Sequence, residues 1–205
     1  MEAFTYLTSV AITLPEGNID TDVIFPARFL LIMEKSGLGE YLFYDRRFTA
    51  AGEKRADFVL NRPEIHGASI LIAGPNFGCG SSREQAVWAL AGFGIRCVIS
   101  SSFGEIFFSN CFKSGVLPIT LSEDIIANLM SRAAAGVIFD VNLIDQKIAT
   151  IDGIAVPFDI DPGRRQALLR GWDEIDIIFN EELSNIERFE SVHANRQPWL
   201  FNEGA

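Results

Sequence analysis

Three short apolar segments separated by helical patterns constrain the fold of this chain more than any other feature. We predict strands over Ser69–Ala73, Cys97–Ser100 and Val116–Leu121, and helices over Arg83–Phe93 and around Glu105–Ser109. Strands that alternate with helices at this spacing form a parallel sheet, because each helix carries the chain back to the same edge. The sequence therefore predicts an α/β fold with a parallel central sheet.

The flanking segments extend this centre, and we expect one domain over residues 1–205. A long irregular loop is predicted at about 34–57, and a C-terminal helical segment at about 161–205. The other predicted elements are a strand over Phe4–Leu14, a strand and short apolar helix over Asp22–Met33, a helix over Glu123–Ala135, hairpin strands over Lys147–Ile151 and Ile154–Phe158, a helix from Asp161 to Gly171, a strand over Ile175–Phe179, and an amphipathic helix marked by Leu183, Ile186 and Phe189.

Composition and charge exclude several classes of function. The chain is 48% hydrophobic and 21% charged, so it can bury a sizeable core and is not disordered. It lacks an uninterrupted apolar stretch of membrane-spanning length and a basic region near Met1, so we expect a soluble, cytoplasmic protein with no membrane partner. Seventeen basic and 27 acidic side chains give a net charge of −10, which disfavours nucleic acid as a partner. Three cysteines without a Cys-x-x-Cys pair argue against a disulfide framework and against a metal or iron–sulfur site held by this chain alone.

The segment from Gly74 to Glu84 (Gly-Pro-Asn-Phe-Gly-Cys-Gly-Ser-Ser-Arg-Glu) lies between a predicted strand and the start of a helix. It is not a Walker loop, because no Gly-Lys-Ser/Thr follows, and Arg83 occupies the position of the third glycine in a dinucleotide fingerprint. Backbone N–H groups at a helix start, together with an arginine fork, favour a bound anion such as a carboxylate. The alternative is structural, since Ser81-x-x-Glu84 has the spacing of a capping box. The residues leave both interpretations open.

Three further sets of residues have a functional and a structural interpretation. Asp20 and Asp22 have the spacing of a metal pair, or of residues that cap a turn. Cys79 is a candidate nucleophile in a positive loop, or an inert side chain. Arg46 and Arg47 follow an aromatic run and, from the residues alone, are typical of solvated loop charges.

A longer series of residues resembles the swivelling domain of the aconitase superfamily and, within it, the family of 3-isopropylmalate dehydratase small subunits. The most specific part runs from Asn76 to Glu84 and continues with Ala86 and Trp88-Ala89-Leu90. The resemblance covers nearly the whole chain and weakens after about Asp161. Its other segments are Asn18–Pro26 with Phe29-Leu30, Leu42-Phe43 with Asp45 and Arg47-Phe48, Asp57–Asn61, Gly67–Leu71, Ser102-Phe103 with Ile106-Phe107, Asn110, and Leu117-Pro118.

This resemblance implies a three-layer β/β/α swivelling domain, like the C-terminal domain of aconitase, that is supplied as a separate polypeptide. The activity it implies is that of a two-subunit hydro-lyase, which isomerises 2-isopropylmalate and 3-isopropylmalate through 2-isopropylmaleate in leucine biosynthesis. In such an enzyme the 4Fe–4S cluster belongs to the large subunit, so no cofactor is expected on this chain. The partners implied are that large iron–sulfur subunit, in a heterodimer, and a small dicarboxylate substrate.

The same resemblance implies roles for individual residues. Ser81 is implied as the base that removes a C–H proton next to a carboxylate, with Asp22 as a second catalytic residue. A helix start and clustered backbone N–H groups would stabilise the alkoxide of that serine. The residues implied in binding are Ser82, Arg83, Arg47, Leu42 and Phe43 for the substrate, and the backbone of Gly78, Cys79 and Gly80 for an anion.

Three other functions remain open. Gln85 stands where bacterial enzymes of this type commonly have His, so a related hydratase acting on another branched malate is one alternative. A stand-alone module that binds phosphate or a nucleotide in its glycine loop is another. The third is a hydrolase that uses Cys79 as its nucleophile.

Overall fold

The computed structural model describes residues 1–32 and 34–200. The strands in this part of the chain are β1 (Tyr6–Leu14), β2 (Ile70–Ala73), β3 (Cys97–Ser100), β4 (Leu117–Thr120), β5 (Ile138–Asn142), β6 (Lys147–Thr150) and β7 (Ala155–Pro157). The α-helices are α1 (Thr21–Ile24), α2 (Tyr44–Arg47), α3 (Glu84–Phe93), α4 (Glu105–Lys113), α5 (Glu123–Ala134), α6 (Pro162–Arg170) and α7 (Glu174–Arg196). Short 3-10 turns cover Ala27–Phe29, Leu38–Tyr41, Val59–Asn61, Pro63–Ile65 and Pro198–Leu200.

The strands of the described residues form one mixed sheet of seven, in the spatial order β4-β3-β2-β1-β5-β6-β7. Strands β1 to β4 are parallel, whereas β5, β6 and β7 continue from the other edge of β1 as antiparallel neighbours. Leu14 pairs with Ala73 and Ser100 with Thr120, so the carboxyl ends of the parallel strands lie at one edge. The prediction of an α/β fold with parallel central strands is confirmed.

Each face of the parallel strands has its own core, because successive residues of a strand point to opposite faces. On one face, Leu71 and Ala73 belong to a buried cluster with apolar residues of α3 and α4. On the other face, Ile70 and Ile72 belong to a cluster with residues of α5, α6 and the antiparallel strands, including Phe139 of β5. Helices α3 and α4 thus cover one face of the parallel strands, and α5, α6 and the antiparallel strands contribute to the core on the other face.

Three segments differ from the sequence-based predictions. The strand predicted over Ile175–Phe179 is wrong, because Asp173 and Asp176 form a capping box that begins α7 there. The strand predicted at the start of Asp22–Met33 is wrong as well, because these residues form α1 and a 3-10 turn; Met33 lies outside the described residues. Strand β5 is absent from the predictions above, although its sequence Ile-Phe-Asp-Val-Asn has the alternation that marks a half-buried strand.

Residue contacts divide the chain into two compact units, Met1–Gly171 and Trp172–Ala205. The first unit contains the sheet and α1 to α6, and the second contains α7. Although α7 has 23 residues, no helix in the described part of the chain is long and apolar enough to cross a membrane. A single domain over residues 1–205, with a loop at 34–57 and a helical segment at 161–205, stays a prediction; residues 201–205 lie outside the described part.

Candidate functional site

Three connections meet at the carboxyl ends of the parallel strands. They are residues 15–20 after β1, 74–83 after β2 and 101–104 after β3. The middle connection, which we call the glycine loop (residues 74–83), is hydrogen-bonded to both neighbours. Its Gly78 N–H donates to the carbonyl of Ile19 at 2.8 Å, and the carbonyl of Phe77 accepts from the N–H of Gly104 at 2.9 Å. Open α/β sheets commonly bind ligands at this edge, so the position favours a binding site.

Two glycines allow the glycine loop to pack closely against the following connection. Gly78 has a φ of +71°, and a Cβ added there would overlap the ring of Phe107 on α4. A Cβ added to Gly104 would overlap the carbonyl oxygen of Gly78. At Gly78 only glycine satisfies both the backbone conformation and the lack of space, whereas at Gly104 the lack of space alone requires glycine. These contacts determine the course of the loop as it approaches Ser81.

Ser81 and Ser82 lie on the exposed surface just before α3. Helix α3 begins at Glu84, with Arg83 as an extended N-cap residue, and no side chain caps its first turn. The capping-box interpretation of Ser81 is therefore wrong, because Glu84 is the first helical residue instead of the third. The Oγ1 of Thr21 donates to the Ser81 carbonyl at 2.8 Å, which anchors the backbone. Within the described residues, the Ser81 and Ser82 hydroxyls and the N–H groups from Ser81 to Arg83 have no hydrogen-bond partner.

Arg83 and Asp22 form a bidentate ion pair beside the two serines. The Nη2 of Arg83 donates to Oδ2 of Asp22 at 2.9 Å, and Nη1 donates to Oδ1. The Arg83 side chain is only 12% exposed, whereas that of Asp22 is 54% exposed. Hydrogen bonding from the guanidinium lowers the pKa of Asp22, and the N–H of Ala27, which donates to Oδ1 at 3.1 Å, acts in the same direction. The structure thus brings together four residues that the sequence singles out, and it holds the Asp22 carboxylate ionised.

The neighbouring carboxylate of Asp20 has a structural contact. Its Oδ1 accepts from the N–H of Val23 at 2.8 Å and caps α1, as the turn-capping interpretation predicts. In residues 1–32 and 34–200, no group of three or more His, Cys, Asp and Glu side chains could hold a metal ion. Asp20 and Asp22 therefore do not form part of a metal-ligand set in the described chain.

An open cleft of about 430 Å³ adjoins Asp22. Two arginines line it, and each is paired with a carboxylate: Arg28 donates to Asp45 at 2.9 Å, and Arg46 donates to Glu16 at 2.9 Å. Arg28 is absent from the sequence-based predictions, because the cleft forms between two segments that only the tertiary structure brings together. The lining residues are Asp20, Asp22, Val23, Pro26, Ala27, Arg28, Asp45 and Arg46.

Arg47, Leu42 and Phe43 lie in the interior of the first unit. Leu42 and Phe43 are fully buried, and Arg47 is 7% exposed. The Arg47 guanidinium donates to the carbonyls of Gly39, Glu40 and Leu42 at 3.2–3.3 Å and to Oδ1 of Asn61 at 3.2 Å. Desolvation of the guanidinium by burial lowers the pKa of Arg47. The interpretation of Arg47 as a solvated loop charge is wrong, and none of the three side chains reaches the cleft surface in this arrangement.

The cysteines differ in environment. Cys79 is partly exposed within the glycine loop, between Gly78 and Gly80. Cys97 on β3 and Cys111 on α4 are buried, and desolvation raises the pKa of both thiols. Neither buried thiol is available as a nucleophile at neutral pH, because the thiolate is the reactive form.

Comparison with known proteins identifies the family. Residues 1–124, which include the glycine loop and the Asp22–Arg83 pair, match the model of the aconitase C-terminal domain. A 3-isopropylmalate dehydratase small subunit from Rhodospirillum centenum is 50% identical over 201 residues, covering 97% of this chain and 98% of the relative. The chain belongs to the family of 3-isopropylmalate dehydratase small subunits.

Two further proteins with this name are also similar to the chain. A small subunit from Phenylobacterium zucineum is 48% identical over 206 residues and covers both chains completely. The crystal structure of a 3-isopropylmalate dehydratase from Methanocaldococcus jannaschii superposes with a TM-score of 0.66 at 26% identity, covering 89% of this chain and 99% of that chain. The family resemblance drawn from the sequence is therefore confirmed.

Proposed function

We propose that this chain is the small subunit of a 3-isopropylmalate dehydratase, a hydro-lyase that interconverts 2-isopropylmalate and 3-isopropylmalate through 2-isopropylmaleate in leucine biosynthesis. The observation that carries the proposal is the identity of 46–50% with relatives of that name over nearly the full length of both chains. The site supports it, since exposed serines, an arginine fork and an ionised carboxylate meet at the ligand-binding edge of the sheet.

The complete enzyme requires a large subunit, as the naming of the relatives as small subunits implies. We propose that this partner holds the 4Fe–4S cluster and that the heterodimer works in the cytoplasm. The described cysteines do not fit a cluster, since two are buried and apart from the loop that contains the third.

Ser81 is proposed as the base. Its alkoxide would take a proton from the carbon next to a substrate carboxylate during dehydration and return it during hydration, because the same group must act in both directions. A serine alkoxide needs strong stabilisation, and two features supply it. The N–H groups of Ser81, Ser82 and Arg83 are without protein acceptors in the described chain, and the adjacent guanidinium adds fixed positive charge.

Arg83 and Ser82 are proposed to bind one substrate carboxylate, together with the backbone from Gly78 through Cys79 to Gly80. A guanidinium has five N–H donors, of which Asp22 occupies two, so a carboxylate can bind the remaining edge. Asp22 then orients the fork, in addition to the catalytic role that the family resemblance implies for it. We propose that the adjoining 430 Å³ cleft receives the rest of the dicarboxylate.

The substrate contacts predicted for Arg47, Leu42 and Phe43 stay predictions. All three are enclosed by protein in this structure, so contact with a substrate would require the turn that carries them to open. Their present contacts support a different role, in which Arg47 holds the carbonyls of this turn together.

A substitution at Ser81 tests the proposal. The variant is assayed in the complex that this chain forms with the large subunit of one of the relatives. Ser81→Ala should lower turnover of 2-isopropylmalate by about 10²–10⁴-fold, because it removes the proton acceptor. Ser122→Ala is the matched control, since Ser122 also precedes a helix and its hydroxyl makes no cap hydrogen bond. Thermal unfolding of both variants separates chemistry from stability. Wild-type turnover by Ser81→Ala would refute the assignment of the base.

Turnover of malates with other 2-substituents, measured on the same complex, tests the alternative substrates. Saturable phosphate binding by the isolated chain at the N–H groups of Ser82 and Arg83, without any turnover in the complex, would instead favour a stand-alone anion-binding module.

A further inference from the structure

Thr21 holds two backbone carbonyls of the glycine loop. It is the first residue of α1 and is 2% exposed. Its N–H donates to the carbonyl of Cys79 at 2.9 Å, and its Oγ1 donates to the carbonyl of Ser81 at 2.8 Å. A carbonyl oxygen only accepts, so the hydroxyl hydrogen of Thr21 must point at Ser81. A buried side chain from a separate segment therefore determines the direction of the Ser81 carbonyl.

The direction of this carbonyl also sets the direction of the next N–H group. The peptide between Ser81 and Ser82 is planar and trans, so its C=O and N–H bonds point to opposite sides. Because buried Thr21 takes the carbonyl, the Ser82 N–H points away from Thr21, and it has no acceptor within the described residues. Both serines are exposed, so this N–H is directed to the outside of the loop.

No second contact in the described part of the chain holds this peptide. The hydroxyl of Thr21 is the one donor to the Ser81 carbonyl there, and α3 begins only at Glu84. The bonds made by Phe77 and Gly78 act three or more residues earlier in the loop. The orientation of the peptide between Ser81 and Ser82 therefore depends on one hydroxyl.

We propose that Thr21 is a positioning residue for the reaction, and that its hydroxyl orients the peptide between Ser81 and Ser82 so that the Ser82 N–H faces the negative charge that develops beside it. This inference rests on the proposed function, since it concerns the base Ser81. A donor that is already oriented needs no rearrangement when charge develops, so Thr21 contributes to the rate without touching the substrate.

Thr21→Ala and Thr21→Ser, which differ only in the hydroxyl, test the proposal in the complex used for Ser81→Ala. Removing an oxyanion donor outright lowers kcat by about 10²–10³-fold, so turning one away should lower it by about 10–100-fold in Thr21→Ala. KM for 2-isopropylmalate should change by less than about threefold, because the donor acts on charge that the ground state lacks. Thr21→Ser keeps the oxygen and should retain kcat to within about threefold. If Thr21→Ala does not fold, Thr21→Val, which keeps the shape of the side chain, takes its place.

Two controls separate positioning from folding. Thr150 is 6% exposed and its Oγ1 donates to Asp152. Thr150→Ala should lower Tm as Thr21→Ala does, by about 2–10 °C, and leave kcat unchanged. In the Ser81→Ala background the serine oxygen is already absent, so adding Thr21→Ala should leave the residual turnover unchanged.

The outcomes distinguish this inference from the proposed function. Equal kcat in Thr21→Ala and Thr21→Ser, with Ser81→Ala impaired as expected, would overturn the role of Thr21 alone. A further fall of about tenfold when Thr21→Ala is added to Ser81→Ala would also overturn it, because the effect would then be a general one on the loop. A wild-type complex that does not turn over isopropylmalate would remove the proposed function, and this inference with it.

Discussion

Replacing Arg47 by methionine should destabilise the protein, because this arginine organises the turn that precedes α2. Its guanidinium donates to three backbone carbonyls and to Asn61, and it lies 4.8 Å from the centre of the Phe93 ring. Methionine retains an unbranched apolar stem but has no donor. The carbonyl of Leu42, whose hydrogen bond to Arg47 is buried, would lose its partner among the described residues, whereas the carbonyl of Gly39 would still accept from the N–H of Leu42.

The magnitude follows from that unpaired acceptor. A buried group left without its partner costs about 1–3 kcal/mol, and the loss of the other hydrogen bonds of the guanidinium adds to this. Relief of the desolvation that lowers the pKa of Arg47 offsets part of the cost. We expect the free energy of unfolding to fall by about 1–3 kcal/mol. For a chain of this size that corresponds to a decrease in Tm of about 2–12 °C.

Urea unfolding followed by circular dichroism measures the change, with Arg55→Met as the control. Arg55 is exposed, so its replacement should change the free energy of unfolding by less than about 0.5 kcal/mol. Steady-state kinetics of the complex with a large subunit complete the experiment. A variant that keeps its stability to within about 0.5 kcal/mol but raises KM for isopropylmalate at least about tenfold would refute this reasoning and support a substrate contact. The same comparison of stability with KM applies to Leu42 and Phe43.

Three further predictions follow from individual contacts. Gly78→Ala should destabilise the chain by at least about 2 kcal/mol, measured by urea unfolding, because its Cβ would overlap the Phe107 ring at a positive φ; unchanged stability would contradict the packing described. Pairing with Arg83 lowers the pKa of Asp22 below its unfolded value, so the pair stabilises the fold above about pH 4 and this contribution is lost as pH falls through the native pKa. Because the pair is partly exposed, Asp22→Asn should cost less than about 1 kcal/mol at pH 7 and nothing in acid, and a cost that persists in acid would contradict this. A thiol reagent at pH 8 should label Cys79 rapidly and the two buried cysteines only after unfolding, as mass spectrometry can show; equal labelling of all three in the native chain would contradict their burial.

The sequence by itself was sufficient to predict the alternating strands and helices of the sheet and to single out the glycine loop as the candidate site. Segments such as Cys97–Ser100 are short, apolar and bounded by polar residues, so local pattern and burial agree. The signal of the glycine loop is also local, because the strand, the glycines, the two serines and the arginine follow one another in the sequence. Where two local signals conflict, the same approach fails: Ile175–Phe179 has the composition of a strand, yet the capping box of Asp173 and Asp176 begins a helix there.

Only the tertiary structure decided which residues near the site face the surface and which are enclosed. Ser81-x-x-Glu84 has capping-box spacing, but the bond from Thr21 to the Ser81 carbonyl and the start of α3 at Glu84 leave the serine hydroxyl exposed. Arg47 has the sequence context of a surface charge, yet it is buried, and carbonyls of the turn before α2 together with the side chain of Asn61 accept from its donors. Such partners are set by the three-dimensional path of the chain, and hydrophobic periodicity carries no information about them. The location of the candidate site is therefore a property of the sequence, whereas the pairing of Asp22 with Arg83 and the enclosure of Arg47 are properties of the folded chain.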